Sequence, residues 1–182
     1  MAGRGLVVLD RDGVINEDSG EFIKSVAEWC PIRGSLEAIA ALHRAGFRVT
    51  VVTNQSGVGR GLLTEQTLGA IHERMAAAVR DAGGELAGVY YCPHRPDEGC
   101  ECRKPKTALL RRLERDVGCR LAGVPFIGDR LSDIEAADAV AARAVLVRTG
   151  TGAATERLLG ERRLEVFNDL AAATRRLLAE MG

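Results

Sequence analysis

The chain alternates short apolar runs with helical patterns, and most of the runs close on polar residues. This alternation constrains its fold more than any other feature. Leu6–Leu9 is a continuous apolar run ended by Asp10. Leu36, Ile39 and Leu42 mark a helix with Ser35 as its cap and Gly46 as its stop. Residues 47–52 read as a second strand. Thr64 caps a longer helix whose apolar face is Leu68, Ile71, Met75 and Val79, ended by Gly83-Gly84. Residues 89–91 read as a third strand. Leu109, Leu110, Leu113 and Val117 form another helical stripe, stopped at Gly118. Residues 124–127 read as a strand running into Gly128-Asp129, and Ser132-x-x-Glu135 has the pattern of a capping box opening the next helix. Residues 145–147 add a strand, and Leu170, Leu177 and Leu178 suggest a C-terminal helix. This order predicts an α/β fold, a Rossmann-like three-layer α/β/α sandwich around a parallel sheet.

A chain of 182 residues suits one domain, 1–182, and 46% hydrophobic residues suffice for its core. Lys plus Arg and Asp plus Glu each number 25, so the formal charge is zero. That balance argues against duplex DNA or an anionic membrane face as a partner. With 4% aromatic residues, stacking on single-stranded nucleic acid is disfavoured too. No apolar run approaches the roughly 20 residues of a membrane span. The start, 1–10, is a poor secretory signal because Asp10 ends its apolar stretch after four residues. The expectation is a cytoplasmic monomer acting on a small molecule.

Ligands of open parallel sheets sit beyond the carboxyl ends of the strands. The polar residues following the strands are therefore the candidates. Asp10-x-Asp12-Gly13 places two carboxylates two positions apart, and a divalent cation such as Mg²⁺ would relieve their repulsion. Thr53-Asn54-Gln55-Ser56-Gly57 offers a hydroxyl and free backbone N–H groups, which suit phosphate. Lys104 can neutralise phosphate charge. Asp129 can be a further metal ligand, and Asp133 a helix cap. Each segment taken alone also reads as an ordinary turn, cap or surface charge.

Cys92-x-His94-x₅-Cys100-x-Cys102 gathers three thiols and an imidazole within eleven positions. That is a Cys₃His set, the composition of a closed structural Zn²⁺ site, and it predicts a metal-clamped loop over 92–102. Cys30 and Cys119 read as small buried residues, and His43 and His72 as plain helix residues.

Taken in order, Asp10-x-Asp12-Gly13, Thr53, Lys104-Pro105 and Gly128-Asp129-x-x-x-Asp133 resemble the four motifs of the haloacid dehalogenase superfamily of phosphohydrolases. The resemblance spans residue 6 to about 150. It implies that Asp10 attacks phosphorus to form an aspartyl-phosphate, and that Asp12 serves as general acid and then base. It also implies that Mg²⁺ is held by Asp10, the Asp12 carbonyl and Asp129, and that Thr53 and Lys104 hold the phosphoryl oxygens. Asp133 would orient its neighbours.

Only 42 residues separate Asp10 from Thr53, which leaves little room for a lid. With the Cys/His loop, this looks like the nearly capless branch that contains heptose bisphosphate and histidinol-phosphate phosphatases. Three segments resemble the heptose group: Leu9 to Asn16, Asp18 to Trp29, and Thr53 to Gly61 with its Gly59-Arg60-Gly61 continuation. Carried over by position, Asp18, Asn54, Gln55, Ser56, Arg60, Arg103 and Arg130 would contact the sugar or its distal phosphate. The implied reaction is hydrolysis of the 7-phosphate of a heptose 1,7-bisphosphate, with the β anomer favoured, on the route to lipopolysaccharide heptose. Two departures stand out. Five residues separate His94 from Cys100, as in the histidinol branch, and Thr107-Ala108-Leu109 replaces the usual Pro-Gly-Met. A histidinol-phosphate phosphatase and an inactive zinc-stabilised binding protein are the alternative readings.

Overall fold

The computed structural model describes residues 5–181. The first four residues, where the leader reading begins, lie outside the described residues, as does Gly182. Six strands form one parallel sheet: β1 (Leu6–Leu9), β2 (Arg48–Asn54), β3 (Gly88–Cys92), β4 (Pro125–Gly128), β5 (Arg143–Val147) and β6 (Glu165–Phe167). Their spatial order is β3-β2-β1-β4-β5-β6. The chain winds outward from β1 to β3, then returns to wind the other way from β4. The crevice between β1 and β4 is thus the switch point where such sheets bind ligands.

Among the described residues six α-helices cover the sheet: α1 (Ser35–Arg44), α2 (Glu65–Asp81), α3 (Ala108–Val117), α4 (Leu131–Ala139), α5 (Gly152–Leu159) and α6 (Leu170–Ala179). The four residues of β1 are all buried and alternate between two cores. Val7 and Leu9 pack with residues of α1, α2 and α6, whereas Leu6 and Val8 pack with residues of α3 and α4. This is the expected three-layer arrangement.

Local signals behave unevenly. Thr64 caps α2 by accepting the Thr67 N–H at 3.0 Å, as its hydroxyl predicts. Ser35 is not the cap of α1. Gly34 holds that position at φ 85°, and the Ser35 hydroxyl donates to the Val14 carbonyl at 3.0 Å. The capping box of α4 is also displaced. Arg130 is the cap and Asp133, not Glu135, is its acidic partner. The strand expected over 47–52 runs to Asn54, because β3 pairs with it as far as Asn54↔Cys92. Cys30 and Cys119 are exposed, contrary to their reading as buried residues.

Candidate active site

Asp10 lies one residue beyond β1, and its backbone N–H donates to the Ile127 carbonyl of β4 at 2.9 Å. The carboxylate is nearly buried. Oδ1 accepts the Arg11 N–H at 2.7 Å and lies 3.0 Å from Lys104 Nζ. Among the described residues Oδ2 takes no hydrogen bond. Lys104 is itself buried, with Nζ donating to the Val52 carbonyl at 2.7 Å and lying 2.6 Å from Asp133 Oδ1. Burial alone would depress the lysine, but Asp10 and Asp133 more than offset it and raise its pKa. Asn54 holds Lys104 in place. Its Oδ1 accepts the Lys104 N–H at 3.0 Å and its Nδ2 donates to the Lys104 carbonyl at 3.1 Å.

Asp129 approaches from the end of β4. Its Oδ2 accepts the Thr151 N–H at 2.7 Å and the Thr151 hydroxyl at 2.9 Å. Gly13 and Gly150 both have positive φ, and a Cβ on either would stand 2.4 Å from that same oxygen. Glycine is required at both positions for Asp129 to enter the crevice. Its other oxygen, Oδ1, is buried without a hydrogen-bond partner. Asp133, by contrast, is well occupied. Its Oδ2 accepts the N–H groups of Asp129 and Arg130 at 3.2 and 3.0 Å. These bonds hold the backbone that carries Asp129 and Arg130.

Burial first, and then Asp133, push Asp10 up to about 7 and Asp129 up to about 6. Facing oxygens of Asp10, Asp129 and Asp133 lie within 4.8 Å of one another. An orphaned, buried carboxylate oxygen beside a second carboxylate suits a hard cation with oxygen ligands. The Arg11 carbonyl takes the N–H groups of Val14, Ile15 and Asn16, closing the turn without using the Asp12 carbonyl. That carbonyl is thus available as a further ligand.

Asp12 points to a different set of partners. Its carboxylate accepts Arg11 Nε and Nη2 at 2.9 and 3.0 Å, Asn16 Nδ2 at 2.9 Å and Gln55 Nε2 at 2.7 Å. Burial works to raise its pKa, but Arg11, Asn16 and Gln55 overcome this and hold it below the usual carboxylate value. Gln55 also donates to the buried Thr53 hydroxyl at 2.9 Å, which links the β1 and β2 ends.

These residues line a cavity of about 440 Å³, large enough for a sugar phosphate. Asp10, Asp12, Thr53, Asn54, Gln55, Ser56, Arg60, Arg103, Lys104, Arg130 and Asp18 all reach it. On its rim Arg130 Nη2 pairs with Asp18 Oδ2 at 2.6 Å, and Arg60 lies over the Phe22 ring at 5.7 Å. Arg103 keeps a buried Nη1 without a partner. Asp129 does not line the cavity itself but sits beside Asp10, with facing oxygens within 4.8 Å.

The Cys/His loop reaches this cavity through Pro96. Cys92 Sγ lies 3.6 Å from Cys100 Sγ, 3.2 Å from Cys102 Sγ and 3.6 Å from His94 Nδ1, and His94 Nδ1 lies 3.1 Å from Cys102 Sγ. A tetrahedron with Zn–S bonds of 2.3 Å has edges of about 3.8 Å, so these four separations fall short of it by about 0.2 to 0.7 Å. Burial pushes the Cys92 thiol pKa up, so the thiolate that zinc needs would form there only as the ion itself displaces the proton. The set can hold one zinc ion. The loop is tied to the end of β2 through Gln55 N–H to Cys92 O at 2.7 Å and Gly59 N–H to Pro93 O at 2.9 Å.

Two residues escape the reading of the sequence. Arg11 is completely buried behind Asp12, and His72 contacts it through Nε2 at 3.3 Å. His72 is therefore more than a plain helix residue. The available signal was Arg11 itself, a cation set between two acids at the end of a buried strand.

A switch-point crevice holding this order of carboxylates, hydroxyl and lysine defines a hydrolase of the haloacid dehalogenase type, and residues 101–173 match the HAD-hydrolase-like family model. The chain is 52% identical over 174 residues to the D-glycero-beta-D-manno-heptose-1,7-bisphosphate 7-phosphatase of Pseudomonas putida, covering 95% of this chain and 99% of that protein. It is 49% identical over 178 residues to the Pseudomonas aeruginosa enzyme of the same name, covering 96% and 98%. Its fold superposes with TM-score 0.94 on the D,D-heptose 1,7-bisphosphate phosphatase of B. bronchiseptica crystallised with magnesium and phosphate. Sequence identity there is 45%, covering 97% of this chain and 99% of that one. The chain belongs to the D-glycero-beta-D-manno-heptose-1,7-bisphosphate 7-phosphatase family.

Proposed function

We propose that this chain hydrolyses the 7-phosphate of D-glycero-beta-D-manno-heptose 1,7-bisphosphate through an aspartyl-phosphate on Asp10. The observation that carries the reading is the buried Asp10 carboxylate with Lys104 on Oδ1 and Oδ2 free of hydrogen bonds, lining a cavity large enough for a sugar phosphate. Similarity to relatives of that name supports the choice of sugar.

Asp10 Oδ2 attacks phosphorus, and the P–O7 bond breaks as the leaving oxygen is protonated by Asp12. Water then attacks the acyl phosphate, giving its proton to Asp12, and phosphate leaves with Asp10 restored. The partners of Asp12 hold it ionised in the free protein, the form the second step uses, so the proton for the first step enters with the substrate, from solvent or from the monoanionic form of its phosphate. Lys104 and Thr53 hold the transferring oxygens. Phosphoryl transfer depends mainly on such positioning and charge neutralisation. Asp10, the Asp12 carbonyl and Asp129 would hold Mg²⁺, which supplies further neutralisation of nucleophile and phosphate when bound.

Arg60, Arg103 and Arg130 ring the cavity with Asp18 and the Thr53–Ser56 turn. They suit a second, distal phosphate, because a guanidinium binds phosphate oxygens in pairs. The Cys92–His94–Cys100–Cys102 set would hold structural Zn²⁺ and fix Arg103 and Lys104 beside it. We take the chain as one phosphatase unit, a cytoplasmic monomer acting on a small sugar bisphosphate. The product places it on the route to nucleotide-activated heptose for the lipopolysaccharide core.

Product analysis tests this reading. The bisphosphate should yield inorganic phosphate and heptose 1-phosphate, and acid-quenched enzyme should carry phosphate on the peptide containing Asp10. Release of the 1-phosphate instead, or turnover retained in Asp10→Asn, would overturn it.

A further inference from the structure

Arg11 has the largest completely buried side chain among the described residues. An arginine persists in such a place only when it is paired. One end of its guanidinium forks onto both oxygens of Asp12. At the other end Nη1 lies 3.3 Å from His72 Nε2. A guanidinium can only donate, so this contact is a hydrogen bond only if Nε2 carries no proton. Burial, and then Arg11, push His72 down to about 4, so the ring is neutral and its proton belongs on Nδ1.

The ring is itself held. Tyr91 packs edge-on against it with centroids 5.6 Å apart, and the Tyr91 hydroxyl donates to Glu65 at 2.5 Å. Glu65 and His72 are seven positions apart on α2, two turns along one face. Neither Arg11, His72 nor Tyr91 lines the cavity.

We propose that Arg11 is a positioning residue for the Asp12 carboxylate and that His72 braces it from behind. The inference rests on the reading of Asp12 as general acid and base. A bidentate guanidinium fixes the plane of its carboxylate as well as its distance. That plane holds only while the far end of the guanidinium is anchored. Without an acceptor at position 72, a buried N–H is orphaned and the fork tilts toward another partner. If His72 were merely a packed ring, phenylalanine would replace it without loss.

The test compares His72→Phe and His72→Gln with the parent enzyme on the sugar bisphosphate with Mg²⁺. His72→Phe should lower kcat by about tenfold or more, within the range that small misplacements cost, and leave KM within about twofold. His72→Gln keeps an acceptor in Oε1 and should recover most of the loss. A parental kcat in His72→Phe overturns the proposal. Equal losses in both variants, with KM raised as well, also overturn it. Nitrogen NMR of the folded parent protein provides a readout free of catalysis. The proposal requires His72 with Nδ1 protonated and Nε2 bare, and the opposite tautomer sinks it. If the parent enzyme releases no phosphate from the bisphosphate, the proposed function fails, and the nitrogen shifts still decide the brace.

Discussion

Lys104 Nζ sits between two buried carboxylates, 3.0 Å from Asp10 and 2.6 Å from Asp133. It is the cation that lets acids crowd at the end of β1. Lys104→Met should lower kcat by about 10² to 10³, as loss of one preorganised donor to a transition state does. Leaving Asp133 buried and unpaired should also cost about 3 to 5 kcal/mol of stability. Steady-state kinetics and urea unfolding check both effects. Activity within tenfold of the parent would remove Lys104 from the reaction.

The acids also predict a pH dependence. Asp10 and Asp129 titrate near 7 and 6 in the folded protein, against an ordinary 3.8. The folded state therefore binds more protons than the unfolded chain between those values. The stability these two groups contribute is complete below about pH 4 and lost as pH rises through about 6 to 7. Mg²⁺ binds the ionised pair, so its rise in Tm should be larger at about pH 8 than at about pH 5. Scanning calorimetry with and without Mg²⁺ measures this, and equal shifts at both pH values would contradict it.

Thr151 offers a narrower test. It fixes Asp129 Oδ2 through both its N–H and its hydroxyl. Thr151→Val keeps the backbone bond and removes the other. Mg²⁺ affinity should fall about tenfold, the lower end for loss of a partner behind a metal ligand. Titration calorimetry reads the affinity directly. An unchanged value would mean that the backbone bond alone suffices.

Protein purified without chelator should contain about one zinc per chain, since four ligands close a tetrahedral site. Cys100→Ala should lower the unfolding midpoint and release the metal, because binding and folding of such loops are coupled. Zinc-free protein of full stability would exclude a structural zinc here.

Much of this was legible in the sequence because local chemistry and topology agree. The apolar runs ending in Asp10, Thr53 and Gly128-Asp129 became adjacent parallel strands whose ends meet at one crevice. The Cys/His spacing brought all four ligand atoms together. What escaped depends on contacts between distant segments. α5 opens at Gly152, where a Cβ would stand 1.6 Å from the Val147 carbonyl, so packing rather than propensity chooses the residue. β6 is three half-buried residues without an apolar run. Ser35 and Ser132 look like caps, but the Ser35 hydroxyl turns to the Val14 carbonyl and Asp133 takes the N–H groups that open α4. The pairing of Arg11 with His72 spans 61 positions and has no local signature.

The most direct test of the account is phosphate release with Mg²⁺ from the α and β anomers of D-glycero-D-manno-heptose 1,7-bisphosphate and from histidinol phosphate, measured in parallel. The account predicts the highest kcat/KM for the β anomer. A preference for histidinol phosphate would contradict the assigned substrate while keeping the Asp10 chemistry, and inactivity on all three by folded, zinc-loaded protein would contradict the assignment as a phosphatase of these sugars.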